Sequence, residues 1–339
     1  MPPLVNDSSS GGGGAEAVIV PFVFGLIFMV GVMGNSLVMV VIGKGGRNVG
    51  GGKRRRLGSP TNIFVLNLSV ADLLFLTFCV PFHATIYSLP EWVFGDFLCK
   101  FGHYFSSVSM LVSIFTLAAM SVDRYFAVVR SGRSPSVRNH RNTLAGVCVI
   151  WLLSLACSVP VAQHQVITSH ATAPNGTFCW EQWSGASRRV YKVAVLLLGF
   201  LVPLLLISCC YTKVLVHLHQ KMKNMSKRSE RSKRKTAQTV LLLVTAFTIC
   251  WTPHHIIAMW AEFGTFPLND ASFVFRIMSH CLSYGNSCIN PVLYSFLSEN
   301  FRRASRQVFT CCYLHTPPGG KGVRARRETF SLTQSTTNI

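Results

Sequence analysis

Seven long apolar stretches constrain this chain more than any other feature. Val18 to Ile42, Asn62 to Tyr87, Tyr104 to Val129, Leu144 to Ala162, Val190 to Leu218, Val240 to Ala261 and Phe273 to Leu297 approach or exceed the roughly 20 residues that an α-helix needs to cross a ~30 Å hydrocarbon core. Lipid offers no partner to a free backbone N–H or C=O, so such stretches span as helices. The expected fold is an all-α membrane protein, a seven-transmembrane helix bundle, and an odd number of spans puts the termini on opposite sides. Only 13% of the 339 residues are charged, against about 25% in soluble domains, which excludes a single water-soluble domain of this size.

The net charge of +20 is sorted by side. Of 32 Lys and Arg, 27 fall in residues 43–61, 124–142, 213–236 and 299–339, leaving only Lys100, Arg188, Arg189, Lys192 and Arg276 on the other side. Cytoplasmic loops hold the basic excess, so the C-terminus is expected inside and the N-terminus outside. The charge marks orientation and attraction to membrane lipid; no nucleic-acid partner is expected. Residues 1–17 read as a short extracellular N-terminus without the basic start of a cleavable signal, and 18–297 as the membrane domain. Phe301, Ala304, Val308 and Phe309 give 298–312 the pattern of a short amphipathic eighth helix at the interface, with palmitoylation expected at Cys311 or Cys312. Residues 313–339 read as a disordered cytoplasmic tail. Asn6 and Asn175 stand in outer sequons, and Cys99 and Cys179, the two outer-loop cysteines, are expected to form a disulfide.

Several residues are costly in lipid. Asp72, at mid-span, has Asn35, Ser113, Asn286 and Asn290 at comparable depth, and the set reads as a hydrated polar cluster, a site for a small cation, or a structural hydrogen-bond network. Pro81, Pro203, Pro253 and Pro291 bend their helices, Trp251 lies two residues before Pro253, and Asp123-Arg124-Tyr125 closes the third span. No G-x-S-x-G, H-E-x-x-H or CxxC pattern is present and no catalytic residue is expected, so the chain does not read as an enzyme. A transporter or channel would suit Asp72 and kinked helices, but no internal repeat is visible.

Together these motifs resemble the rhodopsin-like (class A) G-protein-coupled receptors: Gly34-Asn35, Asn67 to Asp72, Asp123-Arg124-Tyr125, Trp151, Pro203 with Tyr211, Cys250-Trp251-Thr252-Pro253, and Asn290-Pro291-Val292-Leu293-Tyr294, one set per span. The resemblance implies that Arg124 meets the G protein and that Tyr211 and Tyr294 steady the open state. It implies that Trp251 transmits motion with Ile114, Pro203 and Phe247. Asp72, Asn35, Ser113, Asn286 and Asn290 match the family's allosteric sodium pocket. Lys233 replaces an acidic partner that some relatives set against the third-helix Arg.

Within the family, Cys99 to Phe105, Ser109 to Tyr125, Phe178 to Trp183, Pro253 to Ile257, Trp260 to Gly264, Phe266 to Leu268 and Phe296 to Arg302 are similar to galanin receptors of type 1. That likeness implies a galanin-like neuropeptide ligand, coupling to Gi/o with inhibition of adenylate cyclase, and arrestin and receptor kinases acting at the tail. Another peptide of the spexin, kisspeptin or allatostatin type is the alternative. His254 and His255 lie about one turn above Trp251, so at least one is expected to face a ligand cavity, the other reading being a helix interface. Glu262, Trp260 and Phe273 are expected at its mouth, with Tyr104 and Phe105 from the third helix and Trp180 to Trp183 from the outer loop. Ser106 stands where amine receptors carry an Asp, which favours a peptide; Ser106 and Ala258 depart from the type 1 pattern, which tends to a Phe and a His.

Overall fold

The computed structural model describes residues 13–45, 60–89, 91–130, 138–170, 173–221, 227–267, 269–297, 301 and 305–306. Its helices are α1 (Gly13–Gly45), α2 (Pro60–Ser88), α3 (Gly95–Val128), α4 (His140–Gln163), α5 (Ala186–Leu196), α6 (Val202–Lys221), α7 (Lys227–Phe263) and α8 (Asp270–Leu297). A π-helical turn, Leu197–Leu201, joins α5 to α6, so the two form one span and the bundle has seven. Among the described residues six spans are long and apolar enough to cross a membrane. The seventh, α8, is 28 residues long but is diluted by Arg276, His280, Asn286, Asn290 and several serines.

Helix α3 lies at the centre, against α2, α4, α6 and α7. Val108 through Ile114 are buried without interruption, which a helix shows only when neighbours surround it. The largest apolar cluster runs along α3, α6 and α7 and includes Ile114, Leu117, Phe200, Ile207, Tyr211, Leu243, Phe247 and Trp251. Helix α4 shows the inverse of a soluble pattern: Thr143, Ser154 and Ser158 are buried with Ile150, while Leu144, Val149, Leu152 and Leu153 are exposed. Small polar residues let helices approach, and lipid covers the apolar face.

The prolines act through the carbonyl four residues before them, which loses its donor. Pro203 faces Gly199 in this register, and the helix widens there into the π-helical turn. A Cβ on Gly199 would lie 2.8 Å from Leu111, so this widened turn is pressed onto α3. For Pro291 the freed carbonyl is Ser287, and Asn35 on α1 donates to it at 2.9 Å. Gly34 brings α1 that close, since a Cβ there would be 2.9 Å from the Pro291 ring.

Two strands, β1 (Gln165–His170) and β2 (Ala173–Glu181), form an antiparallel hairpin between α4 and α5, with Ile167 opposite Cys179. The Cys99–Cys179 disulfide fastens it to α3 with the Cα atoms 5.6 Å apart. Trp92 N–H donates to the Thr177 carbonyl at 2.6 Å and the Thr177 hydroxyl to the Trp92 carbonyl at 2.7 Å, tying the hairpin to the α2–α3 connection. The expected disulfide is present; the hairpin itself was not anticipated, because its stretch lacks a clear apolar alternation. The basic segment 213–236, read as an inner loop, is largely helical: α6 continues to Lys221 and α7 starts at Lys227. Lys, Arg, Gln and Glu are strong helix formers, so the helices continue past the apolar spans. Apart from Phe301, Ser305 and Arg306, the eighth helix and the tail lie outside the described residues, as do Asn6, Cys311 and Cys312.

Close contact at Gly34 generates a test. Gly34→Ala is expected to lower the apparent Tm of the detergent-solubilised protein, since overpacking costs about 1–3 kcal/mol. Gly25→Ala, where a Cβ meets nothing within 4 Å, is expected to leave it unchanged.

Candidate functional site

The end of the bundle carrying the hairpin gathers polar and aromatic groups from four elements. His255 is buried on α7, with its ring 4.4 Å from Phe200 in the π-helical turn and 5.7 Å from His254. His254 meets the edge of Trp251 at 5.7 Å. Trp251 is buried 6.0 Å from Phe247, and both belong with Ile114 to the central apolar cluster. His255 Nε2 and Trp251 Nε1 are buried without a hydrogen-bond partner. They leave polar capacity directly above the apolar core.

Farther out, two carboxylates and three cations form a linked cluster. Glu262, whose side chain is only 6% exposed, lies 3.2 Å from Arg188 and 3.6 Å from Arg189. Arg188 is also 3.4 Å from Glu181 on β2, and Lys192 donates to Glu181 at 3.1 Å. The cluster therefore joins the hairpin, α5 and the outer turn of α7. Gly185, at φ 84°, turns the chain into α5 so that Arg188 and Arg189 face α7. Arg188 and Arg189 stood among the few basic residues on this side of the sequence, but Glu262 is more than seventy residues away and Glu181 lies on a strand whose pairing the sequence did not show. Phe200 was equally hidden.

The other expected site residues are distributed as follows. Trp260 is exposed and packs on Phe266 at 5.3 Å, and the Arg276 guanidinium lies 5.6 Å over the Phe273 ring. Tyr104 turns to α4, donating to the Leu155 carbonyl at 3.2 Å, and Phe105 stacks on Phe101 at 5.6 Å. Trp183 stacks on His164 at 3.8 Å. Phe105 also meets the edge of Phe78 on α2 at 6.1 Å, so both Tyr104 and Phe105 touch a neighbouring helix. His83 lies 5.6 Å from His103 and 5.7 Å from His280, ring to ring; among the described residues no group of three or more His, Cys, Asp and Glu could hold a metal ion.

Midway along the bundle, Asn290 donates to Asp72 at 2.8 Å. Asp72, Asn35, Ser113, Asn286 and Asn290 are all buried. The Asn35 amide nitrogen serves Gly31 and Ser287, both at 2.9 Å, while its Oδ1 has no hydrogen-bond partner. A buried carboxylate hydrogen-bonded to Asn290, with the unpartnered Asn35 Oδ1 buried on α1, is a donor set that suits a hard monovalent cation.

At the opposite end Asp123 accepts from Arg124 at 2.5 Å and from Arg138 at 2.6 Å through Nε. Thr61 donates to Asp123 at 3.5 Å, and Arg124 also contacts the Thr61 hydroxyl. Tyr125 accepts from Arg130 at 3.3 Å and lies under Lys213 at 5.9 Å. Arg138 and Thr61 were not anticipated, since neither adjoins the motif in sequence. Tyr211 is buried with its hydroxyl unpartnered. Tyr294, Asn175 and Lys233 have side chains outside the described residues.

Comparison with known proteins places this architecture. The family model described as "7 transmembrane receptor (rhodopsin family)" matches residues 34–294. The galanin receptor type 1 of Homo sapiens is 58% identical over 311 residues, 91% of this chain and 87% of that protein. The Mus musculus type 1 receptor is 57% identical over the same shares. The Homo sapiens galanin receptor type 2 is 41% identical over 89% of this chain and 76% of that protein. A seven-span bundle, a hairpin fastened to α3, and Asp72, Arg124 and Pro291 at their family positions converge with these matches: the chain belongs to the rhodopsin family of seven-transmembrane receptors and, within it, to the galanin receptors.

Proposed function

We propose that the chain is a receptor for a galanin-like peptide at the plasma membrane, with its N-terminus outside, and that it signals through Gi/o to inhibit adenylate cyclase. The observation that carries this reading is the 58% identity to a galanin receptor across 91% of the chain, which includes the hairpin and the outer turns of α5 and α7. The peptide site is the hairpin end, with His255 and His254 just above Trp251 and Glu262 farther out on the same helix. Ligand contact there bears on the aromatic stack that runs through Trp251 to Phe247, and Pro253 supplies the bend about which α7 moves. Movement of α7 opens the Asp123 end to the G protein, which Arg124 meets once released from Asp123 and Thr61; Tyr211 and Tyr294 steady that arrangement. Arrestin and receptor kinases act on the tail, while Asn6 and Asn175 carry glycans and Cys311 or Cys312 an acyl chain.

The decisive experiment is a cyclic AMP assay in cells displaying the chain, challenged with galanin, spexin and kisspeptin. Galanin is expected to lower cyclic AMP; silence despite surface display would sink the ligand assignment. His255→Ala is expected to reduce galanin potency by about tenfold, equivalent to ~1.4 kcal/mol. Unchanged potency would return His255 to packing against Phe200.

Asp72 with Ser113, Asn35, Asn286 and Asn290 fits a sodium ion, which supplies positive charge to a carboxylate enclosed far from water. Asp72→Asn is expected to abolish the effect of sodium chloride, compared with a larger monovalent salt, on galanin affinity. A retained sodium effect would leave these residues a structural network.

Arg138 and Thr61 hold Asp123 and Arg124 in the closed arrangement. Arg138→Ala is expected to raise ligand-independent inhibition of cyclic AMP by about two- to threefold, a coupling of roughly half a kcal/mol. Basal signalling identical to wild type would limit Arg138 to a role in folding.

A further inference from the structure

Arg188 serves two carboxylates at once, at 3.2 Å from Glu262 and 3.4 Å from Glu181. Neither contact has hydrogen-bond geometry: Arg188 Nε, Glu262 Oε2 and Glu181 Oε1 are all buried and lack a hydrogen-bond partner. Lys192 is hydrogen-bonded to Glu181, whereas both of these Arg188 contacts are held by charge alone. A buried ion pair recovers its desolvation cost only when directed hydrogen bonds complete it, so these three atoms form an unfinished arrangement. The Glu262 side chain is 6% exposed, whereas that of Arg188 is 33% exposed and can swing. If Arg188 leaves Glu262, it is not orphaned, because Glu181 still faces it. Glu262 likewise keeps Arg189 at 3.6 Å.

We propose that Arg188 is a positioning residue of the peptide site: it occupies Glu262 in the ligand-free receptor and yields that carboxylate to a cationic group of the incoming peptide, falling back on Glu181. The proposal rests on the peptide-receptor reading above. It assigns Glu262 a ligand of definite chemistry, an ammonium or guanidinium, and makes Arg188 the competitor that such a group displaces. Because Glu181 sits on the hairpin fastened to α3, the exchange also unlinks the outer turn of α7 from the hairpin as the peptide enters. Affinity and the freedom of α7 are thereby coupled.

The test uses the full-length receptor on cells, with Arg188→Ala, Glu262→Gln and the double variant titrated with galanin and with galanin whose amines are acetylated. Arg188→Ala is expected to tighten galanin binding by about three- to tenfold, in the lower part of the range of coupling for residues in contact. That gain is expected to vanish in the Glu262→Gln background. Loss of the gain on acetylation assigns the cation to an ammonium, and its survival assigns it to a guanidinium. Should Arg188→Ala fail to reach the surface, Arg188→Gln retains most of the stem and carries the same expectation. Weaker or unchanged binding by a surface-displayed Arg188 variant overturns the exchange, as does an equal gain without Glu262. Galanin that fails to bind wild type overturns the peptide reading and the exchange with it; a binding wild type with an indifferent Arg188 variant overturns the exchange alone.

Discussion

Around Pro291, a polar group that lipid cannot satisfy is satisfied by another helix, and much of the bundle is arranged around that need. Proline leaves the Ser287 carbonyl without its helical donor, and Asn35 on α1 supplies one at 2.9 Å. One turn away on the same helix, Asn290 donates to Asp72 on α2 at 2.8 Å. Three helices are thereby held in register by bonds that hydrocarbon cannot replace. The glycines follow from it: Gly34 must be bare because the Pro291 ring fills the place of a Cβ.

The same requirement shapes the two ends. At each, an enclosed carboxylate is grouped with opposite charges, at least one of them from another element. Asp123 draws in Arg124, Arg138 and Thr61, and Glu262 draws in Arg188 and Arg189. The first cluster has close, directed hydrogen bonds; the second has charge contacts whose hydrogen-bond capacity is unfilled. That difference suits the two roles proposed above, one end that holds until an internal movement releases it and one that receives the peptide. Between them, the aromatic stack from His255 and Phe200 through Trp251 to Phe247 fills the centre.

Much of the fold was legible in the residues because the bilayer imposes one length and one chemistry. Apolar runs marked the spans, and Lys and Arg marked one side. Asp72, Arg124, Trp251 and Pro291 were visible because each is unusual at its depth. The hairpin was not legible, since its two strands depend on pairing with each other and on Cys99, Trp92 and α3. The helical continuation through 213–221 was masked by its charge, which signals water without signalling loop. Tyr104 and Phe105 show what the sequence left open at the site: a rotation of one residue is about 100°, and only the packed bundle sets that Tyr104 reaches α4 and Phe105 lies beside Phe101 and Phe78.

By itself the sequence determined the number of spans, the side that carries the basic charge, and which residues are too costly in lipid to be incidental. These follow from transfer of side chains between water and hydrocarbon, which depends on composition along the chain. Only the tertiary structure decided which of those costly residues meet: Asn35 with Ser287, Thr61 and Arg138 with Asp123, Arg188 with both Glu181 and Glu262. Apart from Arg188 and Glu181, seven residues apart but on different elements, these pairs are separated by fifteen to some 250 residues, and each contact is set by how the elements rotate and approach one another in the packed bundle.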